Sequence, residues 1–205
     1  MDCGLYIITD ETLAPGCSHI QIAKESLIGG AKIIQLRDKR RNGAELYSIA
    51  REIKALCTVH HASFIVNDRL DIALASQADG VHLGQDDLPL CAARLLAPRP
   101  FRIGVSVGTI EEAVDAEKNG ADYLGVGPVY PTGTKPDAGP AVGPELIRQI
   151  RAHVRIPIFA IGGITLTNAK QVLAAGADGI AVISAVICSP NIADTTKKFV
   201  ELMRE

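Results

Sequence analysis

Polar residues placed where apolar runs end carry the chemistry legible in this 205-residue chain. The sharpest group is Gln35-Leu36-Arg37-Asp38-Lys39, in which Gln35, Arg37 and Lys39 are spaced by two. While the chain stays extended they share one face, so two cations point the same way. Burying such a face is costly unless an anion compensates it. Two further runs end in acids: Asn67–Asp68 follows Phe64–Val66, and Gly84-Gln85-Asp86-Asp87 follows Gly80–Leu83. Adjacent strands lie about 4.8 Å apart, so Asp68 and Asp87 at neighbouring strand ends can share one small, hard cation, for which Mg2+ is the natural choice. Cations and carboxylates on one rim form the pattern expected for a metal-bound polyphosphate. The plainer readings are a solvated loop for the cations and helix N-caps for Asp68 and Asp87.

The longest irregular stretch, Gly125–Pro140, brings Thr132, Thr134 and Lys135 within four positions. Loops longer than about 12 residues inside compact domains are usually functional, and this one reads as a flexible, anion-binding lid, with an inert Gly/Pro-rich loop as the alternative. Ala160-Ile161-Gly162-Gly163-Ile164 and Ala181-Val182-Ile183-Ser184-Ala185 close the last two apolar runs. Barrels commonly bind a phosphate there through loop N–H groups and a helix N-terminus. His19, His60, His61 and His153 read as surface or helix residues, His82 as a satisfied structural histidine. No cysteine reads as catalytic, and no P-loop, Ser-His-Asp order or G-x-G-x-x-G context occurs.

The elements that must position these residues are short. Eight apolar runs recur: Leu5–Thr9, Ile33–Leu36, Phe64–Val66, Gly80–Leu83, Ile103–Val105, Tyr123–Val126, Ile156–Ile161 and Gly179–Ile183. Each is too short for a helix and mostly apolar throughout, as parallel strands buried on both faces are. Helical signals lie between them: Thr109 with Glu112 predicts a capping box, and Leu166, Ala169 and Leu173 line one face before the stop at Gly176. Gly120-Ala121-Asp122 and Gly176-Ala177-Asp178 repeat, with looser copies at Gly30-Ala31-Lys32 and Gln77-Ala78-Asp79, about two β/α units apart. Eight strands alternating with helices predict an α/β fold, a (β/α)8 TIM barrel spanning residues 1–205 as one domain; an open doubly wound sheet is the runner-up.

Composition narrows the partners. Twenty-one Lys and Arg against 23 Asp and Glu leave a net charge of −2, which offers no field for nucleic acid or an anionic membrane. Five scattered cysteines without a C-x-x-C pair fit neither a disulfide framework nor a zinc site and suit a reducing cytoplasm. The start, MDCGLYIITD, lacks the pattern of an export signal, and the apolar stretch Ile180–Cys188 is too short to span a bilayer, so the chain reads as soluble.

Seven ordered motifs span nearly the whole length: Tyr6-Ile7-Ile8-Thr9-Asp10, Gln35 to Lys39, Val66-Asn67-Asp68-Arg69, Asp79 to Asp87, Gly104-Val105-Ser106, Pro131-Thr132-Gly133-Thr134-Lys135 and Ile161 to Ile164. Together they resemble the thiamine phosphate synthase family. The resemblance implies joining of 4-amino-5-hydroxymethyl-2-methylpyrimidine diphosphate to 4-methyl-5-(2-phosphoethyl)thiazole, with Mg2+ as cofactor and release of diphosphate. It implies that Gln35, Arg37, Lys39, Asn67 and Lys135 hold the pyrimidine diphosphate, that Asp68 and Asp87 bind Mg2+, and that Ser106 meets the pyrimidine. It assigns Thr132 and Thr134 to the thiazole phosphate region, and Gly163, Ile183 and Ser184 to its phosphate. Catalysis would rest on Arg37, Lys39, Lys135 and Ser106, and a homo-oligomer is compatible with all of this. Two rivals remain: a thiazole tautomerase of the same superfamily, which typically has a histidine base where this chain has Gly108, and a non-catalytic binder of thiamine intermediates.

Overall fold

A computed structural model describes residues 3–134 and 139–204. Eight strands follow one another around a closed barrel: β1 Leu5–Thr9, β2 Ile33–Leu36, β3 Ser63–Asn67, β4 Gly80–Leu83, β5 Arg102–Val107, β6 Tyr123–Val126, β7 Ile158–Ile161 and β8 Gly179–Val182. The pairs β1–β2, β2–β3, β5–β6, β6–β7 and β7–β8 are parallel. The helices between them include α1 His19–Ile28, α2 Gly43–Val59, α3 Leu70–Ala75, α4 Leu90–Leu96, α5 Ile110–Lys118, α6 Gly143–His153, α7 Ala169–Ala174, α8 Ser184–Ile187 and α9 Ile192–Leu202. Every residue of β1, β2, β6 and β8 is buried, so these strands are covered on both faces, which is why their sequence is apolar without alternation. No helix among the described residues is long and apolar enough to cross a membrane.

Four strands differ in their limits from the sequence reading: β3 gains Ser63 and Asn67 at its two ends, and β5 gains Arg102 at its start. β5 extends to Val107, which puts Ser106 within the strand. β7 begins at Ile158 because Pro157 has no N–H to give the ladder. β8 stops at Val182, and Ile183 turns the chain into α8. The expected Leu166–Leu173 face is also shorter: Leu166 lies in a turn, and α7 buries Ala169 and Val172 instead.

The repeated Gly-Ala-Asp signature has a physical basis. Gly30, Gln77, Gly120 and Gly176 all take the left-handed conformation, with φ of 96°, 57°, 93° and 103°. The alanine after each donates its N–H five residues back, to the carbonyls of Ser26, Ala73, Ala116 and Val172, which closes a Schellman turn on the preceding helix. The aspartates then join an odd strand to the even strand that follows. Asp79, Asp122 and Asp178 accept the N–H groups of Phe64, Ile103 and Ile158, each at 2.8 Å. Each also takes a cation from the outer layer: Lys54 at 2.7 Å, Arg94, and Arg151 at 2.9 Å. Lys32 stands where the fourth aspartate would be and keeps only the backbone bond, to Leu5.

The chain divides into two compact units, one running to Val81 and resuming at Val182, the other spanning His82–Ala181. The Asp79 clamp lies within the first unit, and the Asp122 and Asp178 clamps lie within the second. Replacing Asp122 by alanine strips a backbone N–H and Arg94 of their charged partner and is expected to lower urea-unfolding stability by about 2–3 kcal/mol. Asp71→Ala, which breaks the exposed pair with Arg69, should cost under about 1 kcal/mol. Equal losses would show that the clamp carries no special stability.

Candidate active site

In the first unit the ends of β1, β2 and β3 lie side by side. Gln35 is 2% exposed and donates through Nε2 to the Tyr6 hydroxyl at 2.8 Å. Beyond Leu36 the strand stops, so the alternation that the spacing relied on does not reach Lys39. Arg37 stays largely enclosed. Its Nη1 donates to Asp10 Oδ2 at 2.7 Å, and its Nε–H is buried without an acceptor among the described residues. A buried N–H left in that state costs about 1–3 kcal/mol. Lys39 is more than half exposed, with Nζ 3.7 Å from Asp68 Oδ2.

Asp68 has φ of 62°, a conformation that costs a non-glycine residue about 1–3 kcal/mol and that aspartate tolerates better than most. It does not cap α3: that position belongs to Arg69, without a side-chain cap bond, and the carbonyls of Asn67 and Asp68 take the N–H groups of Arg69 and Leu70. The capping alternative therefore does not hold for Asp68. Ile183 and Ser184 belong to the same unit, at the junction of β8 and α8.

Sequence reasoning missed a group beside this cationic loop. His19, taken as a surface or helix residue, is 1% exposed. Its Nδ1 lies 2.7 Å from Thr9 Oγ1, and its Nε2 lies 3.1 Å from Asp38 Oδ2. Since a carboxylate only accepts, Nε2 carries the hydrogen in that contact. Glu11 accepts the His19 N–H at 2.8 Å and pairs with Arg41, whose Nε also reaches Asp38 at 3.2 Å. Burial pushes the Asp38 carboxyl up, but the N–H groups of Arg40 and Arg41 and the His19 ring outweigh it and hold the group down at about 2. The ligand-capable atoms of Glu11, His19 and Asp38 lie within 4.8 Å of one another. Arg41 and three backbone N–H groups already answer those carboxylates, so the cluster is an ion-pair network. The signal available in the sequence was the run Thr9-Asp10-Glu11, an acidic end to the first strand like that of the third.

In the second unit, Ser106 faces Gly125 across the β5–β6 ladder and Gly104 faces Tyr123. A methyl at Gly104 would sit 2.0 Å from the Tyr123 ring, and one at Gly125 would sit 3.0 Å from His82 Cε1, so the two glycines make room for a pair of rings. His82 spans them, with Nε2 2.9 Å from Ser106 Oγ and Nδ1 3.2 Å from the Tyr123 hydroxyl. Gln85 donates to the Ser106 carbonyl at 2.7 Å, and Asp87 accepts the Gly84 N–H at 2.6 Å, which closes the loop after β4. Asp87 is no cap either, because α4 starts at Leu90 behind Pro89. Glu112 overshoots the expected capping box: Thr109 accepts its N–H, while its carboxylate takes the N–H of Gly108.

The loop after β6 is stitched to the end of β7 by Val129 and Tyr130 N–H bonds to the carbonyls of Ile161 and Gly162. Gly162 and Gly163, at φ of 97° and 62°, permit this, since a methyl on either would fall 2.6 Å from Pro128 or the Pro131 carbonyl. Their first duty is thus to seat the chain's own loop. Thr132 accepts the Thr134 N–H at 3.2 Å; Lys135 lies outside the described residues.

Comparison with known proteins points one way. Residues 5–186 match the family model described as thiamine monophosphate synthase. The thiamine-phosphate synthase of Methanospirillum hungatei JF-1 is 84% identical, over 99% of this chain and 98% of that protein. That of Coprothermobacter proteolyticus is 51% identical over 97% and 94%. A solved thiamine phosphate pyrophosphorylase from Pyrococcus furiosus superposes with a TM-score of 0.92 at 44% identity, covering 99% of this chain and 96% of its own.

The lowered Asp38 pKa has a consequence for stability. A carboxylate whose folded pKa lies below its unfolded value stabilises the fold above the unfolded value and loses that contribution as pH falls through the folded one. Wild type and Asp38→Asn should therefore differ in urea-unfolding stability at neutral pH and converge as pH drops from 3.8 to about 2. A gap that stays constant over this range would contradict the assignment.

Proposed function

The chain belongs to the thiamine monophosphate synthase family and is a transferase of thiamine biosynthesis, and from that premise we propose that it joins 4-amino-5-hydroxymethyl-2-methylpyrimidine diphosphate to 4-methyl-5-(2-phosphoethyl)thiazole. The observation that carries this reading is the cationic loop after β2. There a largely enclosed Arg37 commits one N–H to Asp10 and leaves its buried Nε–H without an acceptor among the described residues, two positions before the exposed Lys39. A diphosphate answers both.

In the proposed step the C–O bond to diphosphate breaks and the leaving group keeps the electron pair. The aminopyrimidine ring supports the resulting methylene cation, and the thiazole nitrogen lone pair then forms the new C–N bond. The nucleophile has no proton to lose, so the site needs anion clamps more than a base. Gln35, Arg37, Lys39, Asn67 and Lys135 receive the diphosphate in this reading. Ser106, held by His82, receives the pyrimidine, Thr132 and Thr134 the thiazole phosphate region, and Gly163, Ile183 and Ser184 its phosphate. Catalytic weight falls on Arg37, Lys39, Lys135 and Ser106. Asp68 and Asp87 are the proposed Mg2+ ligands: both offer hard oxygen donors, neither caps a helix, and Asp68 is held in a conformation that nothing in helix geometry requires. When bound, the ion would offset diphosphate charge. Gly108 offers no side chain to move a proton, which disfavours a tautomerase. A cytoplasmic setting suits the cysteine content, and the partners are small molecules.

Product formation from the two substrates and Mg2+ by purified protein tests the reading directly. Asp68→Ala and Lys135→Ala are each expected to lower the rate at least about tenfold with an unchanged circular dichroism spectrum. Wild-type rates in either would remove that residue from the site. A chelator should stop turnover, and excess Mg2+ should restore it.

A further inference from the structure

Resting on the function just proposed, we infer that His19 and Asp38 are positioning residues for the diphosphate clamp, holding the loop after β2 so that Arg37 and Lys39 present their charges to the substrate. Asp38 stands between those two cations in sequence, yet its side chain is 4% exposed while that of Lys39 is 57% exposed. Both of its oxygens are engaged. Oδ1 takes the N–H groups of Arg40 and Arg41 at 2.7 and 3.1 Å, which turns the chain immediately after Lys39. Oδ2 takes Arg41 Nε and His19 Nε2, at 3.2 and 3.1 Å.

His19 passes the restraint on to Thr9, the fully buried last residue of β1. The next residue, Asp10, holds Arg37 and is itself held by the Thr12 N–H. Consecutive residues 9 and 10 are thus tied to consecutive residues 38 and 37, one pair through His19 and the other directly. The network also decides which cation is offered. Arg41 is taken up by Glu11 and Asp38, whereas Arg37 keeps a buried Nε–H without an acceptor among the described residues and Lys39, paired with Asp68 at 3.7 Å, stays more than half exposed. Without Asp38, Arg41 would lose one of its two acidic partners and the turn that follows Lys39 would lose both of its bonds to Oδ1.

The test compares wild type with His19→Leu, His19→Gln and Asp38→Asn in steady-state kinetics, and by calorimetric titration with inorganic diphosphate and Mg2+. His19→Leu and Asp38→Asn are expected to raise KM for the pyrimidine diphosphate and Kd for inorganic diphosphate about tenfold, and to leave KM for the thiazole phosphate within about twofold. His19→Gln, which supplies an amide N–H toward Asp38, should recover most of the loss. Unchanged diphosphate binding, equal rises in both KM values, or a glutamine variant as impaired as the leucine one would overturn the positioning role. If His19→Leu does not fold, Asp38→Asn decides alone, because it keeps an oxygen for the Arg40 and Arg41 N–H groups. Wild-type protein that neither binds diphosphate nor forms product would overturn the parent reading, and this one with it.

Discussion

A charge withdrawn from water must be met by an opposite charge or by hydrogen bonds aimed at it, and the loops at the ends of β1, β2 and β3 are organised around that requirement. Arg37 is met by Asp10, Arg41 by Glu11 and Asp38, and Asp38 by four donors drawn from the loop after β2 and the start of α1. The balance is incomplete in one place. The Arg37 Nε–H and the exposed Lys39 lie where an anionic ligand would complete it. Positive charge is therefore sorted into a share spent on holding the loop and a share that the proposed diphosphate would take up.

The second unit solves a different problem, that of packing two rings where strands crowd together. Gly104 and Gly125 give up their side chains to Tyr123 and His82, and the imidazole placed between them reaches the Ser106 hydroxyl. What looked in the sequence like a structural histidine is structural, and it is also the residue that orients a proposed substrate contact. The paired glycines after β7 show the same economy, since they admit the backbone of Pro128 to Pro131.

The fold was legible because burial on both faces leaves a direct mark: apolar runs of four to six residues, punctuated by helix signals, need no partner to be recognised. Arg37, Lys39 and Asp68 stood out as candidates because a polar residue ending such a run demands a reason. His19 was not. Its partners, Thr9 and Asp38, lie ten residues before it and 19 after it, and no local spacing links three residues that meet only when β1 and β2 are paired. Strand limits at Pro157 and Ile183 depended on hydrogen-bond supply and backbone torsion, which hydrophobicity alone does not encode.

The aspartate clamps carry a consequence for how the molecule comes to be. Each closes over a short span, 15, 19 or 20 residues from carboxylate to N–H, so little loop entropy opposes it. Contacts between residues this near in sequence cost less chain entropy to form than a pairing between the first and last strands.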